Sequence, residues 1–325
     1  MPDRRSLMIG LGAVLAVVPP LLRASTLAAA SYDDPDDMYA ALSRQPHRSI
    51  SLGGGTIDVT FADGAPGLDQ DRVIAWVRKS ATAMAVYFGR YPVAHYRLLV
   101  IATSAATVGH ATTFGFRGSA TRIHVGRDAD DGAFARDWVL VHEMVHTALA
   151  DLPRSALWLQ EGNATYIEPI ARAQAGQLSP EEVWRQSVVG MPAGEPDAAG
   201  GGMDGTQAHD RLYWGGATFW LRAEIEIILK TSGRRTLRDA MRGMNRASGG
   251  NAVTWSPEHL LAAGDASTGT GVLMTLYREF AQRPEKTDLP TLFGRLGIIS
   301  RPDGTVRFDD AAELAAVRRR ITTDQ

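Results

Sequence analysis

The sequence predicts an α+β protein in which a small mixed β-sheet carrying a helix is followed by a mainly helical part. Three observations predict it. Strand-like runs rich in β-branched and apolar residues are concentrated before Arg136. Beyond that point apolar residues recur at helical spacing, punctuated by Pro and Gly. The chain has 325 residues, 45% hydrophobic and 22% charged, enough for two packed lobes or one large one. The expected divisions are a targeting segment over 1–30, an N-terminal α/β lobe over 31–136 and a mainly helical lobe over 137–325.

The first 30 residues read as a signal peptide. Arg4 and Arg5 form a positive region, Leu7 to Leu22 is apolar, and Ala28-Ala29-Ala30-Ser31 supplies a cleavage site after Ala30. The competing reading is a permanent anchor. Against it, Pro19-Pro20 interrupts the run, which falls short of about 18 clean apolar residues. The adjacent arginines followed by Ser6-Leu7-Met8 resemble a twin-arginine signal. The expectation is a periplasmic or secreted protein with no stable membrane insertion once the signal is removed.

In the first lobe, Ser31 to Asp37 reads as a mobile acidic lead-in. Thr56 to Phe61, behind the Gly53–Gly55 triplet, reads as a strand, and Val73 to Phe88 as a helix. Tyr96 to Ala102 has the character of a buried strand, and Thr121 to Val125 alternates as a short one. In the second lobe the spacing predicts a helix over Asp137–Ala150 stopped by Pro153, and another from Leu157 to about Glu168 stopped by Pro169. Further helices are expected at Ser179–Val188, Leu212–Lys230, Leu237–Met244, Gly271–Gln282 and Pro290–Leu296. Gly190 to Thr206, rich in Gly, Pro and Ala, reads as a flexible loop.

Composition narrows the chemistry. Thirty-four basic and 36 acidic residues give a formal charge of −2, without the basic excess of a nucleic-acid binder. There is no cysteine, which excludes disulfides, thiolate metal sites and a cysteine nucleophile. A metal here must be held by His and carboxylates.

The segment Val141 to His146 reads V-HEMVH. Residues four apart lie one above the other on a helix, so His142 and His146 reach one point in front of it. That geometry suits two imidazole bonds to a single zinc ion at about 2.0–2.1 Å. Glu143, one step round the helix, is placed to take the proton of a metal-activated water. Trp138, Val139, Val141, Val145 and Ala148 are expected to back the helix. Two stacked histidines and a glutamate are hard to satisfy in an apolar core without a metal. The bland alternative is a pair of ordinary helix histidines.

The third ligand decides the class. A metzincin needs Gly at position 149 and His at 152, and both are Leu. Asp151 sits just before Pro153 and is poorly placed. Glu161, in Leu157-Trp158-Leu159-Gln160-Glu161-Gly162-Asn163-Ala164-Thr165-Tyr166, opens a second helix after a connection long enough to fold back antiparallel. Two His and one Glu leave the fourth position open, the catalytic arrangement.

HEMVH followed by WLQEGNATYIE resembles the gluzincin peptidases, above all the aminopeptidase N and glycyl aminopeptidase families, whose second motif has the form W-x-x-E-G-x-A-x-Y. The resemblance implies a thermolysin-like zincin fold with the zinc site between the two lobes, and Glu161 as third ligand. Tyr213-Trp214-Gly215-Gly216-Ala217 resembles those families' Y-x-x-G-A segment, which implies that the Tyr213 hydroxyl stabilises the oxyanion. The other reading of Tyr213 is a core aromatic. The likeness is specific over 137–230 and looser beyond, at Arg235 to Met241 and Leu289 to Gly297. No G-x-M-E-N segment, which grips a free substrate amine, appears upstream. The nearest glycine-rich stretch, Gly115 to Ala120, has no acidic residue, so exo- and endopeptidase readings both stand.

Some secondary candidates remain. Thr121–Val125 could add an extended substrate as a strand, or be an ordinary edge strand. Glu168, seven residues after Glu161, could support a ligand histidine or be a solvated carboxylate. His110, His124 and His209 could face the cleft. The expected function is an exported zinc-dependent peptidase acting on peptide or protein substrates through a metal-activated water. The alternative is a non-catalytic periplasmic metal-containing binding or assembly protein. The sequence leaves the oligomeric state open.

Overall fold

Residues 32–196 and 201–323 are described in the computed structural model; the expected signal segment lies outside them. The first helix of the described residues is α1 (Pro35–Arg44), where a mobile lead-in was expected. The Asp34 side chain accepts from Asp36 N–H, Pro35 stands in the first turn, and Met38, Tyr39, Ala41 and Leu42 are buried. The acidic run is a helix start rather than a loop.

Strands β1 (His47–Leu52) and β2 (Gly55–Phe61) form an antiparallel hairpin. Its two-residue turn has Gly53 at φ 58° and Gly54 at φ 82°, the left-handed pair that matches strand twist. Helix α2 (Gln70–Phe88) is capped by Asp69 and closed by Gly89 at φ 76°. Strands β3 (His95–Thr103), β4 (Val108–Phe114) and β5 (Ala120–Gly126) complete a five-stranded sheet in the order β1-β2-β3-β5-β4. Strands β2, β3 and β5 run parallel, and β4 returns antiparallel to β5.

The order corrects one expectation. Thr121–Val125 lies in β5, between β3 and β4, so it is not an edge and cannot take a substrate strand. The edge on that side is β4, which the sequence conceals. Its pairing register slips between Val108 and Ala111, so no clean alternation is legible.

After helix α3 (Asp131–Arg136) comes α4 (Val139–Thr147), the HEMVH helix. It starts two residues later than expected because the Asp137 carboxylate accepts from Val139 and Leu140 N–H and ends the preceding chain. Helices α2 and α4 cover one face of the sheet through a core that includes Leu98, Val100, Ile123, Val141 and Val145. On the other face α1 packs Met38, Tyr39 and Leu42 around Leu99 and Ala120.

Helix α5 (Leu157–Gln174) runs through Pro169, where a stop was expected. Proline in a helix interior costs about 3 kcal/mol. Here every residue from Tyr166 to Arg172 is buried, and that packing outweighs the lost bond. Helices α6 (Pro180–Gly190), α7 (Gly216–Lys230), α8 (Leu237–Ser248), α9 (Pro257–Thr268), α10 (Val272–Gln282) and α11 (Leu289–Arg295) follow. A hairpin of β6 (Ile298–Ser300) and β7 (Val306–Phe308) and a last helix α12 (Ala315–Thr322) end the fold. Part of the loop expected over 190–206 is ordered as a 3-10 turn, Met191–Gly194. No described helix is long and apolar enough to cross a membrane.

Glu224 stitches three helices. Its carboxylate accepts from Tyr166 O–H of α5 at 3.3 Å and from Leu237 N–H, the start of α8, at 3.1 Å. Burial pushes this carboxyl up to about 7. The folded chain therefore keeps its proton to higher pH than the unfolded chain, whose carboxyl titrates near about 4.3. The resulting stability is full below that value and is lost as pH rises through about 7. Glu224→Gln is expected to gain on the parent by about 3 kcal/mol between pH 5 and pH 8, read by urea denaturation at both. Glu168, raised by burial to about 7 as well, remains as a similar background slope.

Candidate metal centre

The structure brings together the three residues that the sequence singled out as ligands. Helix α4 projects His142 and His146 from one face, with ring centroids 4.9 Å apart. Helix α5 crosses in front and offers Glu161 from its second turn. Glu161 Oε2 lies 3.2 Å from His142 Nε2 and 3.5 Å from His146 Nε2. One donor atom from each of the three falls within 4.8 Å of the others, the only such His/Cys/Asp/Glu group among the described residues.

The electrostatics fit a cation. Burial lowers His142, favouring the neutral imidazole that ligates metal. Burial also lowers His146, but the Glu161 carboxylate more than offsets it and raises the group overall. Burial raises Glu161, yet the two imidazoles hold it far below the usual carboxylate range. A carboxylate locked between two imidazole nitrogens is a donor set of the kind zinc takes. Two nitrogens and one oxygen leave a coordination position open.

Glu143 is buried, on the wall of a cavity that it shares with His146 and Glu161. Its Oε2 accepts from the Thr113 hydroxyl of β4 at 2.6 Å, and Thr113 is in turn 2.7 Å from the Thr121 hydroxyl of β5. The sequence reading missed Thr113. Its only signal is the β-branched pair in His110-Ala111-Thr112-Thr113-Phe114, part of a strand whose register slip leaves no alternation to read.

Tyr213 stands in a π-turn, Arg211–Gly215, that feeds into α7. It is only partly buried, which removes the core-aromatic reading. Its ring stacks on His142 at 5.8 Å and on His209 at 4.3 Å. Burial, then the adjacent Glu161 and Glu143 carboxylates, push its phenol up, so it stays a protonated donor.

Several expectations are corrected. Trp138 does not back the motif helix: it is 50% exposed and stands edge-on to His142 at 5.4 Å. Glu168 is neither a solvated carboxylate nor a partner of a ligand histidine. It is buried and paired with Arg172 at 2.8 Å, and Arg172 also donates to the Ala135 carbonyl. His142 Nδ1 is buried with no hydrogen-bond partner among the described residues. Its ring is oriented by packing between Trp138 and Tyr213 instead. His209 faces the cleft through its stack on Tyr213, whereas His110 and His124 stack on each other at 4.0 Å away from it.

Two cavities flank the trio. The first, about 340 Å³, is lined by Ala111 to Phe116 of β4 and its following turn, with Glu143, His146, Glu161, Tyr213 and Asn251 among its other walls. Asp151, poorly placed as a ligand on sequence grounds, opens on this cavity and accepts from Gln160 at 2.8 Å, apart from the trio. The second, about 660 Å³, lies on the far side of His142 and Tyr213.

No protein-family model and no curated protein matches the sequence. Among solved structures, the fold is similar to that of an aminopeptidase N family protein from Idiomarina loihiensis, with a TM-score of 0.55 and 12% identity over 79% of this chain and 50% of that one. An M1 zinc metallopeptidase from Deinococcus radiodurans matches at a TM-score of 0.48 and 17% identity, over 75% of this chain and 53% of that one. The chain thus spans about half the length of these proteins, and the likeness to the first is one of fold.

Proposed function

We propose that this chain is an exported zinc metallopeptidase of the gluzincin type with a thermolysin-like core, acting on peptide or protein substrates. The observation that carries the reading is the convergence of His142 Nε2, His146 Nε2 and the Glu161 carboxylate on one point, at the wall of a cavity edged by a strand. His142, His146 and Glu161 would hold the zinc ion. Zinc bound there supplies Lewis acidity, polarising a peptide carbonyl and lowering the pKa of a water to about 7.

The chain's own residues do the rest. Strand β4 pairs with β5 on one side only, so its outer edge is free to add an extended substrate as a further strand. Glu143, steadied by the Thr113 hydroxyl, accepts the proton of the attacking water and returns it to the leaving amine. The Tyr213 hydroxyl donates to the oxygen that gains charge during attack. Export rests on the N-terminal Arg-Arg, apolar run and Ala-rich segment.

The test is paired. Zinc is quantified in the purified protein, and the protein is assayed on a mixed peptide library. The expected result is one zinc per chain and cleavage that a chelator abolishes and zinc restores. The cleavage pattern separates trimming of ends from internal cuts. Zinc without cleavage would favour a metal-containing binding or assembly protein. No zinc, even after zinc is supplied, would remove His142, His146 and Glu161 as a metal site.

A further inference from the structure

A carboxylate has two oxygens, and those of Glu143 stand in different surroundings. Oε2 accepts from the Thr113 hydroxyl at 2.6 Å. Oε1 has no hydrogen-bond partner among the described residues, and Glu143 lines the cavity that His146 and Glu161 also line. The Thr113 hydroxyl is itself held from behind. It lies 2.7 Å from the hydroxyl of Thr121, and the two residues face each other directly across β4 and β5.

The direction of these bonds follows from what each group can give. A hydroxyl has one hydrogen, and an ionised carboxylate only accepts. At 2.6 Å the Thr113 bond has the length of a charge-assisted O–H···O⁻ contact, so its hydrogen is committed to Glu143. The bond between the threonines must then run from Thr121 to Thr113. Donation from Thr121 polarises the Thr113 hydroxyl. That strengthens its bond to the carboxylate over the longer contact it makes with the Glu143 carbonyl oxygen, at 3.1 Å. The file of hydroxyls has no exit. Thr121 is fully buried, and beside it stands the Tyr96 phenol, also fully buried and without a hydrogen-bond partner among the described residues. Burial pushes that phenol up, so it keeps its hydrogen. The file holds the carboxylate and carries no proton away from it.

We propose that Thr113 and Thr121 are positioning residues that fix Glu143 through Oε2 and leave Oε1 as the oxygen that carries the catalytic proton. An O–H bond of the attacking water breaks as Oε1–H forms, and Oε1–H breaks as the leaving amine gains its N–H. This rests on the reading of Glu143 as general base, but the placement of its carboxylate can be read without turnover. The competing account is a Thr–Thr pair that stabilises the sheet as other cross-strand pairs do. Thr121 separates the two, because it is buried away from the cavity and cannot touch a substrate.

The experiment compares the full chain with Thr113→Val, Thr121→Val and Thr121→Ser, with Thr113→Ala in reserve should the first fold poorly. In one arm, crystal structures locate the Glu143 carboxylate. It is expected to shift by about 1 Å or more in Thr113→Val, to lose its single position in Thr121→Val, and to stay as in the parent in Thr121→Ser. In the other arm, kcat and KM are measured on the best library peptide, with urea denaturation on the same preparations. Thr113→Val is expected to lose about 10- to 100-fold in kcat and Thr121→Val about 3- to 10-fold, both at unchanged KM. Thr121→Ser recovers most of what Thr121→Val loses. A carboxylate that stays in place in both valine variants, or valine variants that lose stability but keep kcat, overturns the proposal and leaves the peptidase reading intact. A displaced carboxylate in a protein whose parent cleaves no peptide upholds what holds Glu143, and removes the peptidase reading and with it the role of Oε1.

Discussion

Glu143→Gln is expected to lower peptide turnover by about 10²–10⁴-fold while leaving one zinc bound per chain. Glutamine keeps the shape of the side chain, and its carbonyl oxygen can still accept from the Thr113 hydroxyl, now 2.6 Å from the Glu143 carboxylate. The rotamer is therefore retained, and only the ability to carry a proton is lost. The three donors that converge, His142, His146 and Glu161, are untouched, so metal content should not change. An effect made only at the transition state lowers kcat and kcat/KM together and leaves KM in place. The measurement is kcat and KM on the best library peptide, with zinc content and thermal midpoint taken on the same preparation. Turnover above a tenth of the parent's would move the base elsewhere, with Asp151, which opens on the same cavity, the first alternative.

The convergence of His142, His146 and Glu161 was legible because it depends on local rules. An i, i+4 pair needs only a helix, and Glu161 needs only a turn of the right length before the next helix. Strand β3 was legible as a buried apolar run, β5 as a short alternating one and β2 by its β-branched residues behind the Gly triplet. What failed depended on tertiary neighbours. Strand β4 carries half-exposed residues and a register slip, so its sequence lacks a period, and its role as sheet edge follows from strand order alone. Thr113 was invisible for the same reason. Trp138 has the character of a core residue but is 50% exposed, on the wall of the second cavity. Pro169 was read by propensity, and the burial of all its neighbours overrode it. Glu168 has the right helix face for the metal, yet Arg172, one turn along, takes its charge.

The glycines of the two motifs yield the second large prediction. A Cβ on Gly162 would stand 2.3 Å from both the carbonyl carbon and the Cα of Gly216, and a Cβ on Gly216 would stand 2.2 Å from the Trp158 carbonyl oxygen. Helices α5 and α7 thus meet backbone to backbone at this pair. Glu161 is the neighbour of Gly162, and Tyr213 is three residues, about one turn, before Gly216, so the contact sets the spacing between them. Backbone atoms cannot rotate aside as a side chain can, so an added methyl must part the helices. Gly162→Ala would gain up to about 1 kcal/mol in helix propensity, but overpacking costs about 1–3 kcal/mol or more, and a net loss of stability is expected. The larger effect is on the site, because a displacement of about 1 Å can cost about 10²-fold in rate. Urea denaturation and kcat/KM, measured beside Gly294→Ala, report both. Gly294 is helical with open space around its Cβ position, so its variant is expected to be as active as the parent and no less stable. A Gly162→Ala protein as stable and as active as the parent would show that the glycine contact does not hold Glu161 and Tyr213 in place.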